Sequence, residues 1–206
     1  ASVSWLLEHA NPLVKVTIVP RGQALGAAWY LPEERQITTK AQLLDQMVSL
    51  LGGRAAEELV FGEVSTGALN DLERVTKQAY AMVVYYGLDK EIGNLSFYDS
   101  SGQSEYGFQK PFSEKTAEKI DAQIRTMVEE AYEKAKSLLK DNREKLDALA
   151  QILVEREVIF REDVEAIYGP RPWDAETEIK KDETETKKEK IEIKKEEIEI
   201  KKENDE

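Results

Sequence analysis

The sequence predicts a mainly α-helical bundle with a small β-hairpin near its N-terminus, and three observations point there. Apolar residues recur at helical spacing through most of the chain before Asp174. One early segment alternates and is β-branched, and glycine and proline punctuate the stretches between. With 206 residues, 41% hydrophobic and 34% charged, the chain suits a soluble, helix-rich protein and is long enough for one sizeable core or two small domains.

The hairpin comes first. Val14-Lys15-Val16-Thr17-Ile18-Val19 alternates, Pro20-Arg21-Gly22 interrupts it, and Leu25-Gly26-Ala27-Ala28-Trp29-Tyr30 supplies a second strand before Pro32. From about Thr39, apolar positions at Leu43, Leu44, Met47, Leu50, Leu51, Ala55, Leu59 and Val60 follow a helical period. Gly52-Gly53 sits inside that run; each glycine costs a helix roughly 1 kcal/mol relative to alanine, so the pair is expected to mark close packing against another backbone. Ser65-Thr66-Gly67 reads as a cap for the next helix, whose stripe runs through Leu72, Val75, Ala79, Met82, Val83 and Tyr86 to Gly87. Beyond a connection at about 99–109, a longer helix is expected from Ser113, with Ile120, Ile124, Met127, Ala131, Ala135 and Leu138 facing inward. A further helix follows from Asn142 through Leu146, Leu149 and Leu153, and a short one ends at Tyr168 before Gly169-Pro170.

The chain from Asp174 differs in composition. It holds 14 acidic and 9 basic residues, a net of -5 out of the -12 of the whole chain. Isolated isoleucines in such a stretch bury too little surface to offset the entropy of ordering, so residues 174–206 read as a disordered low-complexity tail. The acidic balance disfavours nucleic acid as a partner, because that affinity rests on Lys and Arg displacing counterions. There is no cysteine, which removes disulfides and thiolate chemistry, and one histidine, His9, which cannot build a two-histidine metal site. No apolar run approaches the roughly 20 residues of a membrane-spanning helix. No phosphate-cradling G-x-x-x-x-G-K-[ST] loop occurs either.

Several ordered blocks nonetheless resemble one family. Leu51-Gly52-Gly53-Arg54-Ala55-Ala56-Glu57-Glu58, Phe61-Gly62, Ser65-Thr66-Gly67-Ala68 and Asn70-Asp71-Leu72 are similar to the protease domain of the FtsH family of membrane-bound AAA proteases. Lys15–Gly22, Leu31-Pro32 and Gly169-Pro170-Arg171-Pro172-Trp173 extend the resemblance over residues 1–173, which are thereby expected to form an FtsH-type peptidase domain. The family's His-Glu-x-x-His helix would end immediately before Ala1. Its two histidines and general-base glutamate are absent here, so no catalytic residue is assigned, and the chain is expected to be a truncated, inactive piece of the enzyme.

The resemblance implies an ATP-dependent zinc metalloendopeptidase that degrades membrane and soluble proteins. It implies zinc with Asp71 as the third ligand, and ATP bound by a domain outside this chain. The partners it implies are unfolded polypeptides, a homo-oligomer, specifically a hexamer, and a membrane reached through N-terminal segments not present here. The protease domain would face the cytoplasm in bacteria, or belong to an organellar membrane in eukaryotes. Glu57 and Glu58 correspond to a glutamate pair near the family's site. His9 is expected at a helix C-terminus, interacting with its dipole, and Tyr80, Tyr85 and Tyr86 are expected to serve packing or subunit contacts. The alternative reading is a non-catalytic helical assembly module that retains the ring contacts.

Overall fold

The computed structural model describes residues 1–20, 26–31, 36–98, 111–171 and 173. The tail from Asp174, the turn around Arg21-Gly22 and the whole 99–109 connection lie outside the described residues. Two units divide the chain, Ala1–Tyr168 and Gly169–Glu206. In the second, the Arg171 guanidinium lies 5.6 Å from the Trp173 ring centroid.

The first unit is mainly helical, as the periodicity predicts. A single turn, α1 (Ser2–Trp5), leads into strands β1 (Leu13–Thr17) and β2 (Ala27–Tyr30). The long α2 (Lys40–Phe61) opens on a capping box: Thr39 Oγ1 accepts from the Gln42 N–H, and the Gln42 side chain accepts from the Thr39 N–H. A 3₁₀ turn (Thr66–Ala68) feeds α3 (Leu69–Tyr80), which widens into a π-helical turn (Ala81–Tyr85). Then come α4 (Glu114–Asp141), capped by Ser113, α5 (Arg143–Arg156), β3 (Val158–Phe160) and α6 (Arg161–Tyr168).

Two apolar cores form. The first joins α1 to α2, α3, the π turn and α4 through Val3, Met47, Leu51, Val75, Met82, Ile120 and Leu139, among others. The second packs the sheet on α5 and α6 through Trp5, Leu13, Val16, Leu149, Ile159 and Val164. Short as it is, α1 serves both, since Val3 enters the first core and Trp5 the second. Truncating any one of these large side chains to alanine typically costs roughly 2–5 kcal/mol, so both cores contribute to holding α1.

Two expectations, for the glycine pair and for Tyr86, need correction. The predicted hairpin forms and gains a third strand, giving an antiparallel sheet in the order β2-β1-β3. Val158-Ile159-Phe160 is too short to show a period in sequence and acquires strand character only by pairing with Lys15–Thr17. The glycine pair does not face another backbone. A Cβ on Gly52 would come within 2.9 Å of the Val3 side chain, whereas a Cβ on Gly53 would meet nothing within 4 Å. Tyr86 does not stay on the buried stripe. The π turn hydrogen-bonds five residues back, buries Met82, Val83 and Val84 in succession, and leaves Tyr86 61% exposed.

Candidate functional site

The candidate site is built where α2 hands over to α3. Gly62 ends α2 at φ 75°, a left-handed conformation that glycine adopts without strain, and its N–H donates to the Glu58 carbonyl at 2.9 Å. The chain then reverses, and its return is held from α2. Ser65 donates through Oγ to Glu57 Oε1 at 2.8 Å and through its N–H to Glu57 Oε2 at 3.2 Å. Arg54 donates to the Ser65 carbonyl at 3.4 Å. Ser65 Oγ in turn accepts from the Gly67 N–H at 3.2 Å, which caps the 3₁₀ turn rather than α3 itself. These hydrogen bonds hold the Glu57 carboxyl below its ordinary value. Glu57 thus fixes the turn from which α3 begins, three residues before Asp71.

Asp71 lies in the first turn of α3, where the helix dipole favours a negative charge. It is half-buried, and burial raises its carboxyl above the usual range while the charge of Arg74 pulls the other way. No hydrogen bond or ion pair holds Asp71 among the described residues. Its charge is felt by Tyr30, whose phenol is pushed up chiefly by burial, lowered by its bond to Ser4 and raised by Asp71. The Tyr30 hydroxyl lies 2.9 Å from Ser4 Oγ on α1, and Ser4 Oγ lies 2.5 Å from Ser49 Oγ on α2. The three hydroxyls therefore join β2, the N-terminal turn and α2. Between α1, α2, α4 and α5 lies a groove of about 190 Å³ lined by Ala1, Val3, Gly52, Gly53, Ala56 and Leu149, among others; Asp71 is not part of it.

The other named residues do different work. Glu58 faces α4, where Tyr132 donates to its Oε2 and Lys136 reaches its Oε1 at 3.0 Å. His9 is not at a helix terminus, because α1 ends at Trp5 and the chain turns ahead of Asn11-Pro12. Its backbone N–H donates to the buried Asp45 at 3.3 Å, and Asp45 also pairs with Lys134 at 2.8 Å. Tyr80 and Tyr85 stack edge to face at 5.4 Å, and Tyr85 meets Tyr98 at 5.3 Å. Tyr30, Ser4 and Ser49 carry no sequence signal of partnership, since their contacts span 26 and 45 positions.

A half-buried carboxylate with no bonded counter-charge is a donor that zinc accepts beside imidazoles, so Asp71 fits one position of a zinc site. Among the described residues no three His, Cys, Asp or Glu side chains form a group able to hold a metal ion. No described helix is long and apolar enough to cross a membrane.

Comparison with known proteins places this geometry in context. The profile of peptidase family M41 matches residues 1–167. The ATP-dependent zinc metalloprotease FtsH of Parabacteroides distasonis is 65% identical over 173 residues, covering 84% of this chain and 25% of that protein. FtsH of Rhodothermus marinus is 53% identical over 178 residues, with the same two coverages. The mouse mitochondrial inner membrane m-AAA protease component AFG3L2 is 44% identical over 173 residues, 84% of this chain and 21% of that protein. The chain thus spans about a quarter of the length of the curated relatives it matches.

Proposed function

Because the chain belongs to peptidase family M41, we propose that it forms the distal part of the peptidase domain of an ATP-dependent zinc metalloendopeptidase and gives that enzyme Asp71 as a metal ligand. The observation that carries the reading is the state of Asp71: half-buried, at the start of α3, with no bonded partner among the described residues. A family match alone would leave its role open, and an isolated acidic residue would be ordinary; together they favour a ligand.

In this reading residues 1–173 are the peptidase domain, and the charged stretch 174–206 is a tail outside it. The remaining ligands and the general base come from a His-Glu-x-x-His segment, which these 206 residues do not contain. Zinc, when bound, would polarise the scissile carbonyl and lower the pKa of a water molecule. This chain's own residues hold and orient: Asp71 supplies one oxygen, while Arg54, Glu57 and Ser65 fix the turn that aims it.

Substrate would be an unfolded polypeptide taken up along the sheet. β1 is paired on both sides, by β2 and β3, so the Val14–Val19 segment offers no open edge. β2 and β3 each pair with β1 alone among the described strands, so of the two segments of the hairpin it is β2 that keeps an edge to which an extended peptide would add. Backbone pairing of that kind tolerates many side chains, as an unselective protease needs. ATP hydrolysis, hexameric assembly and membrane attachment belong in this proposal to the longer protein. Its peptidase domain would face the cytoplasm in a bacterium, or lie at an organellar membrane in a eukaryote.

The test uses a protein in which the His-Glu-x-x-His segment precedes Ala1. Asp71→Ala should lower its zinc-dependent casein cleavage by at least about a hundredfold, the upper range for residues that only support a ligand, and leave the melting curve in place. Unchanged cleavage and zinc content in that variant would overturn the assignment.

A further inference from the structure

We infer that Tyr30 and Ser4 are positioning residues: through the hydroxyl chain Tyr30–Ser4–Ser49 they fix the edge strand β2 at a set height against α1, and so set where an extended substrate lies relative to the metal-binding end of the domain. The inference rests on the peptidase reading above for its substrate half, but the anchoring itself rests on the hydroxyl chain.

Neither α1 nor β2 can hold its own place. A four-residue helix closes only one turn, which costs more conformational freedom than its hydrogen bonds return. β2 is four residues long and has one neighbour, β1, whose register against it slips between Leu13 and Lys15. Both elements need a tie from outside, and the three hydroxyls provide it. Tyr30 ends β2; its hydroxyl meets Ser4 Oγ at 2.9 Å, in the middle of α1. Ser4, only 2% exposed, meets Ser49 Oγ at 2.5 Å, in the interior of α2. A serine hydroxyl has one proton and two acceptor positions, so Ser4 can bond both neighbours at once while remaining buried.

The chain thus runs from the strand edge, through the turn nearest Ala1, into the helix that also carries Arg54 and Glu57. The residues flanking Ser4 confirm that α1 is seated as well as tied, since Val3 fits over Gly52 and Trp5 fills the second core. On β2, Trp29 projects to the other side, where Lys15 Nζ lies 4.8 Å from its ring centroid. The Tyr30 hydroxyl thus bonds a β2 side chain directly to α1.

The separating variants are Tyr30→Phe and Ser4→Ala. Tyr30→Phe keeps the ring and leaves Ser4 its bond to Ser49, so it should fold. In the 206-residue chain, amide exchange at Ala27–Leu31 should quicken by about five- to tenfold, the scale of one lost hydrogen bond, with α2 and α4 amides unchanged. In the zinc-loaded protein extended upstream of Ala1, KM for an unstructured peptide should rise by a similar factor while kcat and zinc content hold. Ser4→Ala, which also cuts the bond to Ser49, should quicken β2 exchange at least as much, and the double variant should be no worse than Ser4→Ala, because both cut the same chain. Unchanged exchange at β2 in both variants, additive effects in the double variant, or a fall in kcat at constant KM would each overturn the inference. If the unsubstituted extended protein cleaves nothing, the peptidase reading fails and takes the substrate role with it, while the exchange result still decides the anchoring.

Discussion

Gly52 and Gly53 are neighbours in one helix, and their surroundings give them opposite tolerances. A methyl group on Gly52 would press to 2.9 Å from Val3, while on Gly53 it would enter open space. Gly53→Ala should therefore stabilise by about 1 kcal/mol, the helix preference of alanine. Gly52→Ala receives the same gain but must displace α1, an overpacking cost of roughly 1–3 kcal/mol, so it should melt below Gly53→Ala. Thermal melts of the two variants check this, and equal shifts would mean that α1 does not rest on Gly52. At this scale the sequence was only partly legible. Composition and spacing gave no reason to single out Asp71; the resemblance did. The same resemblance marked Glu57 without saying that it binds Ser65, because one surface glutamate looks like another until a loop is folded onto it. His9 was misplaced for a related reason: nothing local announces that α1 stops at Trp5.

Among the elements, the pairing of α2 with α4 carries a polar tie whose pH dependence can be stated. The Glu58 carboxyl is held below its ordinary value, first by the Tyr132 hydroxyl and then by Lys136. A depressed carboxyl contributes stability at pH values above its unfolded pKa, and that contribution is lost as pH falls through the folded one. The Tyr132 phenol is pushed up to about 12, by burial first and by Glu58 next. Its contribution is complete below the unfolded value near 10 and is lost between about 10 and 12. Tyr132→Phe should therefore flatten both limbs of a plot of Tm against pH, at the acid end and between pH 10 and 12. A variant whose two limbs match the parent's would show that the tie does not couple to folding. Long elements were the legible ones: α2 and α4 repeat their apolar spacing over many turns, and Thr39 and Ser113 cap them. β3 was not legible, since three residues show no period, and the π turn was hidden because its one extra residue alters a helical pattern only beyond Val84.

For the whole first unit, two cores meet at α1, one within the helical bundle and one beneath the sheet. This explains why the bundle was readable as a bundle while its site was not. Burial patterns are set by residues three or four apart, whereas the chain Tyr30–Ser4–Ser49 and the surroundings of Asp71 depend on segments tens of positions apart. We propose above all that Asp71 ligates zinc. Anomalous diffraction at the zinc edge, from crystals of the protein extended upstream of Ala1, tests it most directly. The claim predicts a peak about 2.0–2.2 Å from an Asp71 carboxylate oxygen, beside two histidines. A bound zinc whose third protein ligand is another residue, with the Asp71 carboxylate turned away from the ion, would contradict it.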